Sequence, residues 1–251
     1  MKFGIPQNVF AALFAFSLND KYKMAVSGSS SAILAKQTMA GEYDLALIPT
    51  CDLLTHKELF VSKKVALSFD GELSNSYLYF QGGGAIDSFF MRGDVTSNEI
   101  ILSKLLFQEK LKKDIDVTID TGDFDMDTKN YIISGMENFE NSLYEKGLSF
   151  SDQVADMIDY PYVNFVVASK SKDVIEEFNK TLVSLDKKIE DNVDTYLANA
   201  AFDDKLTSLI KNKLDQVYFE LTENEIEGLN EMLRLPFYKG LIKEIVEVKY
   251  V

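Results

Sequence analysis

Short apolar runs, each closed by small polar residues, set the rhythm of much of this chain. "MKFGI" reads as a strand and "NVFAALFAFSL" as a buried helix that follows it. "YKMAV" (22–26) is a second strand with "SGSSS" as its exit. The next run, "AILAKQTMAG", is a helix whose hydroxyl-rich start suits an N-cap, since a Ser or Thr oxygen accepts from the free N–H groups of a first turn. "YDLALIP" is a continuous apolar run of strand length, the pattern of a strand buried on both faces of a parallel sheet. This β-α-β-α-β order predicts an α/β lobe with right-handed crossovers.

Two further strands, "KKVALSF" and "NSYLYFQ", flank the turn signal "DGELS". "GGG" at 82–84 then interrupts the pattern and reads as a flexible connection between lobes. Beyond it come a strand, "DSFFMRG", and an amphipathic helix, "TSNEIILSKLLFQEKL", with Thr96 or Ser97 as its cap. "DIDVTID", "NYIISG" and "YVNFVVAS" complete the strands. From Lys172 onward the period changes to successive helices charged on one face, and Thr222 with Glu225 spells a capping box. The expected architecture is α/β and two-lobed. Residues 1–81 and 168–251 form a first lobe with C-terminal helices, and residues 82–167 form a second. A ligand would lie between them, at strand ends and helix starts.

Charge and composition narrow the partners. A net charge of −14 over 251 residues argues against nucleic acid or an anionic membrane. No apolar run reaches the ~18 residues of a membrane span. "VFAALFAF" could serve as the apolar part of a signal peptide, but the following "SLNDKYK" is no small-residue cleavage site. The segment is therefore read as folded structure and the protein as cytoplasmic. Arg92 and Arg234 are the only arginines, so an acidic ligand must be held by hydroxyls, backbone N–H groups and helix starts. Cys51 and His56 are each the only residue of their type, which removes disulfides, most zinc sites and catalytic triads. Asp123, Asp125 and Asp127 begin like a calcium loop, but Thr128 stands where Gly is needed and Ser134 where Glu is needed. What remains is a set of small polar residues at strand-to-helix junctions: Asn8, Ser27–Ser31, Thr50, Ser74–Ser76, Thr96 and Ser97. Each can also be read simply as a cap or turn residue.

At these residues the chain resembles the menaquinone-biosynthesis proteins of the futalosine route, chorismate dehydratases in particular. "GIPQNVFAALFAF" is similar to that family's opening strand and Asn-bearing loop, and "MAGEYDLALIPTCDLLTHKEL" to its third strand and exit. "ALSFDGEL", "DVTSNEIILSKLL", "YPYVNFVVAS" and "VYFELTENEIEGLNEML" follow in the family's order. The resemblance implies a two-lobed, type II periplasmic-binding-protein-like fold. It also implies a cytoplasmic lyase that removes water from chorismate without metal or redox cofactor. It would place Asn8 and Ser76 at the reacting atoms, with Ser29, Thr50, Asn75, Thr96 and Ser97 holding substrate. The family's cleft serine falls on Asn75 without a gap or on Ser76 with one inserted residue. "GMEN" replaces the Gly-Asp pair expected after "YIIS", and "MRGDV" a Ser/Arg-rich run. A non-catalytic small-carboxylate-binding protein of the same fold is the alternative.

Overall fold

Two β-sheets, between which the chain crosses twice, organise the protein. The computed structural model describes residues 1–81, 86–200 and 202–251. In the first sheet, β1 (Phe3–Pro6) runs parallel to β2 (Val26–Ser29) on one side and β3 (Leu45–Pro49) on the other. Every residue of β1 and β3 is buried, as their unbroken apolar runs require. Next to β3 lies β10 (Tyr162–Ser169), antiparallel to it and to β4 (Phe60–Phe69). β11 (Val217–Glu220) forms the far edge, and the short β12 (Lys249–Tyr250) pairs with the other end of β4. The order is β2-β1-β3-β10-β4-β11.

The second sheet has the order β7-β6-β8-β5-β9, from β5 (Ser76–Tyr79), β6 (Ser88–Gly93), β7 (Asp116–Ile119), β8 (Tyr131–Ser134) and β9 (Leu148–Ser149). Two sequence expectations shift here. β5 belongs to the second sheet and β10 to the first, so the crossings lie at 70–75 and 159–161 rather than at 82 and 168. The three glycines expected to join the lobes, 82–84, lie outside the described residues. The segment that contains them runs between β5 and β6, two strands of one sheet.

Another expectation fails at residues 22–26. Asn19 accepts from the Tyr22 N–H and starts a one-turn helix, α2 (Asp20–Lys23), and β2 begins only at Val26. The cap outweighs the β propensity of "YKMAV" because Tyr22 buries its ring edge-on to Phe178, with centroids 4.9 Å apart. α1 (Val9–Ser17) is apolar on nearly every face and is correspondingly enclosed. It lies against α7 (Leu185–Ala200), and its Phe14 meets Phe3 of β1 edge-on. α3 (Leu34–Met39), α4 (Ser97–Leu111), α5 (Phe150–Ile158), α6 (Lys172–Lys180), α8 (Asp204–Asn212) and α9 (Glu223–Tyr238) complete the layers. The capping box expected at Thr222–Glu225 is present at the start of α9. No helix among the described residues is long and apolar enough to cross a membrane.

The outer edge of the first sheet is closed by a side chain. The Asp186 carboxylate at the start of α7 accepts from the Phe219 N–H (2.6 Å) and the Glu220 N–H (3.3 Å) of β11. Glu220 in turn accepts from the Leu185 N–H (2.9 Å), so strand and helix satisfy each other's free donors. Burial pushes Asp186 up from 3.8 to about 6, the two N–H donors countering only part of it. A carboxyl whose folded value is raised favours the fold below its unfolded value and loses that contribution as pH rises through the folded one. In urea denaturation, the stability of Asp186→Asn relative to wild type should therefore increase between about pH 4 and about pH 7. A constant difference across that window would show that Asp186 titrates normally.

Candidate functional site

Strand direction brings the polar junctions together. Because β1, β2 and β3 are parallel, the residues that follow them share one edge of the first sheet: Asn8, Ser30–Ser31 and Thr50. In the second sheet β6 is parallel to β8, while β5 is antiparallel to it with Ser76 opposite Ser134. Asp94, Ser134–Gly135 and Asn75–Ser76 therefore share an edge as well. The two edges meet: Phe10 of α1 lies against Phe139 at 6.4 Å between ring centroids, and Ser30 Oγ donates to Asp94 Oδ1 at 3.1 Å. A crevice beyond the carboxyl ends of strands is where open α/β sheets take their ligands.

The expected residues occupy this crossing in different ways. Asn8 is the N-cap of α1, its Oδ1 accepting from the Ala11 N–H at 2.9 Å, while its buried Nδ2 has no partner among the described residues. Thr50 is fully buried and donates to the Val163 carbonyl at 2.7 Å, which fixes the exit of β3 to β10. Asn75 has a buried, unpartnered Oδ1, and its carbonyl accepts from the Gly135 N–H at 2.8 Å. Thr96 caps α4, as expected, accepting from the Asn98 N–H. Ser97 is the first helical residue instead of the cap, and its buried Oγ bears on the Asp52 carboxyl without a hydrogen bond of good geometry. Ser29 lies within β2 and donates to Gln37 Oε1 at 3.0 Å; its neighbours Ser30 and Ser31 are the ones that reach the second lobe.

Ser76 leads to a residue the sequence reading passed over. Its Oγ donates to Glu99 Oε1 at 2.8 Å and shares a hydrogen bond with Ser134 Oγ at 3.0 Å. Glu99 Oε2 accepts from the Thr96 N–H at 2.9 Å and Thr96 Oγ1 at 2.6 Å. Burial raises the Glu99 pKa, and the Thr96 and Ser76 donors pull it back. Ser76 has one proton, so with Glu99 ionised Ser134 must be the donor of the shared bond, and with Glu99 protonated Ser76 can be. The arrangement can thus pass a proton along Glu99, Ser76 and Ser134. The Thr-x-x-Glu spelling of 96–99 is the signal that could have found Glu99, being the signature recognised at Thr222–Glu225.

Beneath this layer, Asn98 joins the lobes by accepting from the Cys51 N–H (2.8 Å) and donating to the Asn164 carbonyl (2.7 Å). Tyr162 Oη and both side-chain polar atoms of Asn164 are buried there without partners among the described residues. Burial holds the Cys51 thiol and the Tyr162 phenol well above their ordinary values, so neither supplies an anion. A hollow of about 470 Å3 lies between α7, the end of α8 and β11, lined by Asp186, Ile189 and Phe219 among others. It flanks the sheet edge opposite β2, away from the crossing.

No protein-family model matches the chain, and no curated protein does. Solved structures do. Protein AF1704 from Archaeoglobus fulgidus is similar over 96% of this chain and 98% of its own, with a TM-score of 0.73 at 14% identity. The Candida albicans CA3427 gene product, described as having the generic periplasmic binding protein fold, covers 97% and 91% at a TM-score of 0.65 and 11% identity. The periplasmic aliphatic sulphonate binding protein SsuA of Escherichia coli covers 99% and 90% at 0.63 and 10%. The chain has a two-lobed, type II periplasmic-binding-protein-like fold.

The two capping boxes give a matched test of the site's burial. Thr96 is 2% exposed, whereas Thr222 is exposed, so water can replace the hydroxyl only at the second. Thr222→Ala should cost about 1 kcal/mol, an ordinary cap. Thr96→Ala should cost about 2–3 kcal/mol, because both it and Glu99 are shut off from water, whereas Glu225, also buried, lies beside the exposed Thr222, where water can take over the lost donor. Equal losses in chemical denaturation would mean that Glu99 finds a replacement donor.

Proposed function

We propose that this protein binds a small carboxylate in the crevice between its lobes. The observation that carries this reading is the set of buried, unpartnered side-chain atoms at the crossing: Asn8 Nδ2, Asn75 Oδ1 and Ser97 Oγ. A buried polar group without a partner costs about 1–3 kcal/mol, so three of them at one crossing favour a ligand that would satisfy them. Asn8 Nδ2 and the Ser97 hydroxyl are neutral donors that suit an anion, while Asn75 Oδ1, an acceptor, suits a hydroxyl of the same ligand. The chain has two arginines, one of which, Arg92, is already paired with Glu137 at 2.7 Å. SsuA binds aliphatic sulphonates with the same architecture, which makes anion binding a consistent use of the fold. A cytoplasmic location belongs to this reading.

A finer reading is the lyase of the resemblance, acting on chorismate. Loss of water aromatises the ring: the C–O bond breaks, the hydroxyl takes up a proton and leaves as water, and a ring proton is lost. The Glu99–Ser76–Ser134 chain favours it, because a hydroxyl backed by a buried carboxyl of raised pKa can deliver a proton to a departing hydroxyl. Carried over, Asn8 and Ser76 would face the reacting atoms, with Thr50, Asn75, Thr96 and Ser97 around the substrate.

Ligand binding and chorismate turnover separate the outcomes. Calorimetry and melting-temperature shifts across a panel of small carboxylates, chorismate included, should find at least one stabilising ligand. Asn8→Asp keeps the α1 cap but exchanges the free Nδ2 donor for an acceptor, so it should fold normally and bind that ligand about tenfold or more weakly. Mass spectrometry of chorismate incubated with the protein should show loss of one water if the lyase reading holds. Intact chorismate with a stabilising carboxylate leaves binding alone. Absence of any stabilising carboxylate overturns both.

A further inference from the structure

At the crossing, one side chain of the protein is already held as a ligand carboxylate would be. Gly93 ends β6 with φ of 84°, and a Cβ there would lie 2.1 Å from the Ser134 carbonyl oxygen, so only glycine permits this approach of β6 to β8. The turn lets the Asp94 N–H donate to the same Ser134 oxygen at 3.0 Å and sends the Asp94 carboxylate out of the second lobe. It lands on the exit of β2 in the first. Ser30 Oγ donates to Oδ1 at 3.1 Å, the Ser31 N–H to Oδ1 at 3.0 Å and to Oδ2 at 3.3 Å, and Ser31 Oγ to Oδ2. Ser31 is fully buried, so its hydroxyl is a fixed part of this grip. Among the described residues no cation is a partner of this carboxylate. A hollow of about 310 Å3, lined by Ser30, Arg92, Asp94 and Asp120 among others, adjoins the contact and leaves room beside it.

We infer that Ser30 and Ser31 form a carboxylate-binding subsite that Asp94 fills when no ligand is present, and that a ligand carboxylate enters by displacing Asp94. The inference rests on reading the crevice as the binding site. Asp94 belongs to one lobe and both serines to the other, so the same contact holds the lobes together at this end of the crevice. A ligand that takes the serines must therefore break one interlobe contact as it makes another. Its observed affinity is lowered by competition with the protein's own carboxylate.

Chemical rescue tests this without any natural ligand. In Asp94→Ala the serines are vacant, so the lobes should open, read as a larger radius of gyration by small-angle scattering. Sodium formate, against sodium chloride at equal ionic strength, should raise the Tm of Asp94→Ala by filling the vacated serine donors. The apparent formate affinity of Asp94→Ala should exceed that of wild type by about tenfold or more, the equivalent of one charge-assisted hydrogen bond. Adding Ser31→Ala to Asp94→Ala should abolish the formate response. Should Asp94→Ala fold poorly, recovery of its folded fraction by formate but not chloride is the supporting result, and no recovery overturns the inference. Equal formate responses in wild type and Asp94→Ala, or an undiminished response in the double variant, also overturn it. Failure of the carboxylate panel on the wild-type protein would leave the formate result standing, so the two readings fall separately.

Discussion

Glu99 is a carboxylate buried without a cation, and much of the crossing is arranged around that constraint. Its oxygens are satisfied by Ser76 from β5 and by the backbone and hydroxyl of Thr96 at the head of α4. Ser76 in turn meets Ser134 at the end of β8. One side chain thus fixes the start of a helix against two strands of the second sheet. Removing a donor leaves a buried carboxyl oxygen short of a partner, which costs more than the net worth of an ordinary hydrogen bond. The small hydroxyl residues around it are therefore constrained by electrostatics as much as by shape.

The same layer couples the lobes. α4, capped by Thr96, packs against the 3-10 turn Thr50–Leu54 of the first lobe and against α9. Asn98, the second residue of α4, bonds both Cys51 and Asn164 across the junction. These contacts are buried and dense, so this side of the crossing acts as a fixed floor. The Ser30–Ser31 contact with Asp94 differs: Ser30 is exposed and Asp94 half-buried, with solvent at hand to replace what is broken. A hinge needs this asymmetry between a floor that persists and a mouth that exchanges partners.

Legibility in the sequence followed local signal strength. The unbroken runs of β1 and β3, the buried α1 and the Thr222 cap could be read because each needs only its own residues. β11, "VYFE", was missed because it is four residues long and half of them are partly exposed, so neither length nor apolar run marks it. The lobe boundary was misread because glycine signals flexibility without saying what it joins; the crossing at 70–75 carries the weaker "DGELS" turn signal. Within "SGSSS" composition marks a polar exit but cannot assign register, so it does not separate Ser29, which bonds Gln37, from Ser30 and Ser31, which meet Asp94. Asp94 is one of 40 acidic residues, and only the meeting of two sheets distinguishes it.

An anion faces a second difficulty in this protein beyond finding donors. With a net charge of −14, the surrounding field opposes its entry; Asp94 and Asp120 line the hollow beside the serines, and Arg92, which lines it too, is held by Glu137. Adding a carboxylate to an empty set of neutral donors would raise the local negative charge. Exchanging it for Asp94 leaves the charge on the serines unchanged and moves the displaced carboxylate toward water, where its self-energy is lower. The opposition left is mostly the long-range field, which salt screens over about 10 Å at 0.1 M. On the proposed reading, an acidic, arginine-poor protein would take an anion between its lobes by exchanging it for one of its own.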